Sequence, residues 1–449
     1  MELNYKNVTN QFEPISKKIP QTTSSKNYSN IVECFNKLIY YSTEEYNEIE
    51  IKKILMTIPN LIEPSSSSEP VYLPETYFLF LLDLYKNTEN EIFKNFILII
   101  FYRIIINDPS SIKLLLENHI LSFILPSFEN FKLNVSIRSF MNLIEFFVSS
   151  KVYDYCMDIL TIRYFISIFP RVKMTTDLII SWLECLNELF ENKIKIEINE
   201  INYILNLFSD ISEEYYYDTL ISAKICWIIV ELIKKKYINN LEMLKQNKFT
   251  LKLISYYKSN DHRLIEASAT LIGYLAIENV IINEFDYDLI CNVCKNCRSS
   301  HVFKSSFWVY LIMIEKNPEY VDYVYNTNKF DFFKMYNKVS FHYKKEIAYF
   351  LSFILKYTQE RHIQYLFESH FLQIIYESIS FENNQFIDIV LEGLINVGEI
   401  VVNQSLIEQY AEIKDKVQTG EIVEIIQGIG DENLNTMLHL ILSDYCFLL

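Results

Sequence analysis

Glycine is nearly missing from this chain: six in 449 residues, with none before Gly273. Proline is also sparse, at ten. A β-rich fold needs many tight turns, and a phosphate-cradling loop needs glycines where the backbone approaches its ligand. Both are disfavoured, which leaves helix as the default. Cations are outnumbered, 41 Lys and Arg against 57 Asp and Glu, for a formal charge of −16. Nonspecific nucleic-acid binding needs the opposite balance, so a soluble protein that attracts basic partners is expected. Long apolar runs are absent too. The run from Phe96 to Phe101 soon meets Arg103, well short of the roughly 20 residues that cross a bilayer. The N-terminus lacks the charged start, apolar middle and cleavage site of a secretory leader. Eight scattered cysteines then read as reduced thiols inside a cell. Seven dispersed histidines form no H-E-x-x-H, and no G-x-S-x-G occurs. A non-enzymatic protein without a cofactor is expected.

Half of the residues are hydrophobic, and they are arranged with a period. Ile97, Phe140, Trp182, Trp227, Thr270, Trp308, Tyr349 and Leu391 occupy matching places in a repeated helical pattern, separated by 43, 42, 45, 43, 38, 41 and 42 residues. All three tryptophans lie on this ladder. A period in the forties marks armadillo or HEAT units. The expected fold is all-α: an armadillo/HEAT-like right-handed α-solenoid of about ten helical repeats. Its turns are legible. Asp108-Pro109-Ser110-Ser111 offers Asp108 as an N-cap and Pro109 for the first helical position. Ser259-Asn260-Asp261-His262 and Phe381-Glu382-Asn383-Asn384 serve later units. Residues 1–28 are polar and read as a flexible tail, residues 29–449 as the repeat domain, and residues 63–71 as a Ser/Pro loop within it.

Several segments resemble the armadillo repeats of importin alpha, the adaptor for basic nuclear-localisation signals. Lys224-Ile-Cys-Trp-Ile-Ile-Val-Glu-Leu232 is similar to a family repeat in which Trp is followed four residues on by a polar residue. Lys344-Lys-Glu-Ile-Ala-Tyr349 resembles the K-E-A-x-W helix start, with Tyr replacing Trp. Leu391-Glu-Gly-Leu-Ile-Asn-Val-Gly-Glu399 resembles the Leu/Gly/Glu helix near the family's C-terminus. Leu406-Ile-Glu408 and the stretch 421–445 resemble its acidic segment and closing helix. The likeness spans about Tyr28 to Tyr445 at the level of spacing and is sharp over the last 230 residues or so.

The resemblance implies a peptide-binding groove lined by Trp182, Trp227, Glu231, Trp308, Tyr349 and Asn187, with Glu184 and Glu188 adding acidic complementarity. It implies protein or peptide partners, among them basic nuclear-localisation signals and transport receptors, in a monomer that works in cytoplasm and nucleus. The alternative is a cytoplasmic scaffold without a transport role. Two departures stand out. In the family each groove Trp pairs with an Asn one helical turn later; here those places hold Phe101, Ile144, Leu186, Glu231, Tyr274, Ile312, Phe353 and Ile395, and Asn187 falls one position late. The family's basic N-terminal segment is reduced to Lys6, Lys17, Lys18 and Lys26.

Two further signals need weighing. Cys291-x-x-Cys294-x-x-Cys297-x-x-x-His301 has ligand types that suit tetrahedral zinc, but spacings of three rotate thiols progressively around a helix, and cysteine also serves as a small core residue. Metal binding is the lesser reading. Cys446-Phe-Leu-Leu449 has the C-a-a-X form, without the basic residues upstream that would supply a second membrane signal.

Overall fold

The computed structural model describes residues 26–62, 73–128, 130–149, 162–166, 175–192, 196–238, 244, 248–280, 287–296, 299–326, 335–379, 384–419 and 422–442. The 1–25 portion of the expected tail, the Ser/Pro loop and Cys446 lie outside them. The first helix begins at Lys26 rather than after residue 28. Among the described residues every regular element is a helix, in keeping with an α-solenoid type of fold.

The chain divides into two units, residues 1–159 and 160–449. In the first, three long helices pack in series: α1 (Glu48–Ile62), α2 (Glu91–Asn107) and α3 (Asn134–Ser149). The Lys26–Thr43 helix packs on α1. In the second unit the series is α4 (Thr176–Glu191), α5 (Thr219–Lys234), α6 (His262–Ile277), α7 (Ser300–Lys316), α8 (Phe341–Leu355), α9 (Asn384–Asn403) and α10 (Glu432–Leu442). Each packs mainly on the helix before it and the helix after it, and further helices such as Ile198–Glu214 and Tyr287–Asn296 lie in the connections between them. Nearest-neighbour packing of this kind is what distinguishes stacked repeats from a globule with a central core.

The polar bonds that tie neighbours together carry the same period. Ser139 donates to Asn95 Oδ1 at 2.8 Å across 44 residues, and Asn107 Nδ2 donates to the Ile62 carbonyl at 2.7 Å across 45. Lys252 Nζ donates to the Ser212 carbonyl across 40, and Asn396 Nδ2 to the Leu355 carbonyl across 41. Arg361 bridges to Asp322 across 39. A buried hydroxyl pair does likewise, Tyr336 with Ser378 across 42, while the Tyr257 hydroxyl reaches Ser306 at 2.7 Å across a longer 49. In an apolar interface an unmade hydrogen bond costs about 1–3 kcal/mol, so these pairs pin each helix in one register against the next.

The turns follow the expected chemistry with one shift. Asp261 is the N-cap of α6 and accepts from Arg263 N at 2.9 Å; with Thr219 also donating to it, its carboxyl is held far below the usual range, chiefly by the Arg263 side chain. Asp108, by contrast, does not cap the next helix, which starts at Ser111. Its carboxylate accepts from Ser110 N and Oγ, and its carbonyl from Ser111, so it organises the turn itself. The Phe381–Asn383 turn lies outside the described residues; α9 begins at Asn384.

Candidate peptide-binding face

Helices packed on both flanks bury most of their circumference. Of the sixteen residues of α5, ten are buried: Ile221, Ser222, Ala223, Ile225, Cys226, Ile228, Ile229, Val230, Leu232 and Ile233. Apart from Thr219 at the helix start, what stays open is a single stripe, Leu220, Lys224, Trp227, Glu231 and Lys234, at the three- and four-residue steps of one helix face. The same narrow stripe recurs along the second unit: Ile180, Glu184 and Glu188 on α4; Arg263, Glu266, Thr270 and Tyr274 on α6; His301, Lys304 and Trp308 on α7; Tyr349 on α8; Asp388, Glu392 and Glu399 on α9.

These stripes touch one another from helix to helix. Lys224 pairs with Glu184 at 2.7 Å. Lys234 is bonded to Glu231 at 2.6 Å and stands over the Tyr274 ring, 5.9 Å from its centroid. Tyr274 in turn lies 5.3 Å from the Trp308 ring. His301 approaches Glu266 at 3.9 Å, Glu346 faces Lys304 and His301, and Lys356 pairs with Glu392. Burial pushes the Glu266 and Glu346 carboxyls up, against the pull of these cations. Burial likewise raises Tyr349, which also feels Glu346 and Glu315. The result is an aromatic and carboxylate-rich face in which several acids are already matched by lysines.

Trp308 owes its position to a glycine. A Cβ placed on Gly273 would meet Trp308 Cζ3 at 2.2 Å and two further ring carbons at 2.8 Å. The indole therefore lies directly against the backbone of α6. Gly393 permits a similar approach of α9 to Leu355 and the Ser352 carbonyl. Glycine inside a helix is about 1 kcal/mol less favourable than alanine, and close packing offsets that here.

Of the residues read from the sequence as groove-lining, Trp227, Glu231, Trp308 and Tyr349 fall on the open stripe. Trp227 is 36% exposed; Trp308 and Tyr349 are half-buried, the latter stacked on Phe386 at 6.5 Å. Trp182, expected in the groove, does not line it. It is fully buried, meets Phe208 edge-on and donates its indole N–H to the Phe165 carbonyl at 2.9 Å. That bond and the surrounding apolar shell make it a core residue. Ile97, Phe140 and Leu391 are fully buried as well. Asn187 is half-buried and gives its amide to Glu191 within its own helix. Gly273 and Tyr274, which seat Trp308, are not among the groove residues expected from the sequence; a helix-interior glycine in so glycine-poor a chain is the signal that marks them.

Of Cys291, Cys294, Cys297 and His301, only Cys294 and His301 have described side chains. Cys297 and the Cys291 side chain lie outside the described residues. Cys294 is 1% exposed in the core, whereas the His301 side chain is 65% exposed. Among the described residues no group of three or more His, Cys, Asp or Glu side chains could hold a metal ion, and no helix is long and apolar enough to cross a membrane.

Comparison with known proteins bears on the fold alone. No family model matches the sequence. No curated protein matches it either. Among solved structures, the crystal structure of an engineered protein superposes over 91% of this chain and 99% of its own, with a TM-score of 0.62 at 10% sequence identity. The helical architecture is thus one that solved structures share, while the residues on its open face are this chain's own.

Proposed function

We propose that this chain is a divergent armadillo-type adaptor, similar to importin alpha, which binds an extended basic peptide along the open face of α5 to α8 and takes part in nuclear import. The observation that carries the reading is the row Trp227, Thr270, Trp308 and Tyr349, repeated at one period on the open stripe with Glu231, Glu266 and Glu346 beside it. Flat aromatic walls accept the aliphatic stems of Lys and Arg, and carboxylates receive the charged heads. The test is titration of the full chain with a lysine-rich signal peptide. Saturable binding that weakens as salt rises supports the reading; no binding even at low salt removes it.

One observation favours a second reading, a scaffold on the same fold with no transport role. One turn past the anchors stand Glu231, Tyr274, Ile312 and Phe353, the last two buried, so no amide row is available to hold a peptide backbone. A partner recognised mainly through side chains suits that surface. Co-purification separates the two: transport factors favour the adaptor, their absence the scaffold.

A further inference from the structure

Outside that face, the turn between the Lys26–Thr43 helix and α1 combines three properties in one place. Glu44-Glu45-Tyr46-Asn47 leaves the helical path for four residues. Tyr46 is 72% exposed and takes part in no hydrogen bond among the described residues. The chain around it is wholly acidic: Glu44 and Glu45 precede it, Glu48 and Glu50 follow, and no Lys or Arg lies between Lys37 and Lys52. Ile49, three residues on, is 68% exposed, although it belongs to a helix that buries Ile51, Ile54 and Leu55.

The turn is held in shape from both sides. Glu44 and Glu45 donate their amides to the Tyr40 carbonyl at 2.9 and 3.1 Å, and Asn47 donates to the Tyr41 carbonyl at 3.2 Å. The Asn47 side chain accepts from Glu50 N, and the Tyr40 hydroxyl donates to Glu45 at 2.9 Å. Every neighbour is therefore tied down while Tyr46 projects. Other tyrosines near the surface are differently placed. Tyr40 is engaged with Glu45, which raises its pKa. Tyr217, 82% exposed, has the Tyr216 ring centred 3.5 Å away and is followed by Asp218, which caps α5.

We propose that Tyr46 is a phosphorylation site for an acidophilic protein tyrosine kinase. Kinases select substrates by the pattern of charge around the acceptor, and a cationic cleft complements this turn on both sides of the tyrosine. The kinase transfers the γ-phosphoryl of ATP: the bond from the γ-phosphorus to the β–γ bridging oxygen breaks, a bond to Tyr46 Oη forms, the phenolic proton passes to the kinase's catalytic base, and ADP leaves. The product adds a charge of about −1.5 to −2 to a turn that already carries two glutamates, which changes what this end of the first unit can meet.

The experiment incubates the full chain with ATP and the catalytic domain of an acidophilic non-receptor tyrosine kinase, alongside a peptide spanning residues 40–52. Phosphopeptide mapping is expected to place the dominant phosphate on Tyr46. Tyr46→Phe should abolish that peptide without altering helical content, and Glu44→Gln with Glu45→Gln should slow incorporation several-fold. Incorporation centred on Tyr217 or spread over other tyrosines overturns the proposal. So does failure of the folded chain when the free peptide is modified, and so does failure of the peptide itself.

Discussion

Trp182 and Trp227 occupy matching places in the sequence ladder, yet one is sealed in the core and the other is on the surface. The helices α4 and α5 that carry them are neighbours of equal length, 16 residues each. The difference lies in register. Trp182 and Trp227 are 45 residues apart, and the position of α4 that shares the Trp227 stripe is Glu184, two residues later. Two residues are about 200° around a helix, enough to move a side chain from the open face to the opposite one. Glu184 confirms the alignment by pairing with Lys224, three residues before Trp227 on the same stripe. A repeat found by its large aromatics can therefore be right in period and wrong in phase.

The contrast predicts its own largest effect. Trp182→Ala removes a fully buried indole and orphans the Phe165 carbonyl, so it should destabilise the chain by about 3–5 kcal/mol in denaturant unfolding. Trp227→Ala should stay within about 1 kcal/mol, because half-open positions with no special partner contribute little. Equal losses at the two sites would erase the distinction.

A middling effect is expected at Gly273. Its replacement by Ala would ordinarily stabilise a helix, but here the methyl group collides with Trp308. A cost of about 1–3 kcal/mol, the usual penalty for overpacking, should appear, and adding Trp308→Leu should recover part of it. A stabilised Gly273→Ala variant would mean that the indole does not rest on α6.

Much of this was legible in advance, and the limit has a physical cause. Helix was readable because apolar residues recur at three- and four-residue steps, and the period was readable from the tryptophans. The open stripe was legible only in part: Trp227, Glu231, Trp308 and Tyr349 fall on it, and Trp182 does not. With ten of sixteen α5 positions buried, apolar residues cover nearly every side of the helix, and periodicity no longer distinguishes inside from outside. Polar residues mark the face better: Glu184, Lys224, Glu231, Lys234, Glu266 and Glu392 all lie on it, and their pairings across neighbours reveal the alignment. Cys294 shows the same ambiguity from the other side, a residue with ligand chemistry that the fold uses as core.

The smallest effect concerns charge on the open face. Glu346 has its pKa raised from 4.5 by burial, against the attraction of Lys304 and His301. The folded state therefore binds its proton more readily than the unfolded chain does, and stability falls as pH rises from 4.5 through the folded pKa. Glu346→Gln should be more stable than the parent at neutral pH, and the difference should vanish below pH 4.5. A variant less stable at neutral pH would show that the carboxylate is held by its cations rather than strained by its surroundings.

The three indoles offer the most direct measurement of the whole account, since no other tryptophan interferes. Variants that keep one Trp and replace the other two with Phe can be compared by emission wavelength and acrylamide quenching. Trp227 should emit furthest to the red and quench most readily, Trp308 should be intermediate, and Trp182 should be blue-shifted and protected. Trp182 as accessible as Trp227 would contradict the placement of the open face and the peptide-binding role built on it.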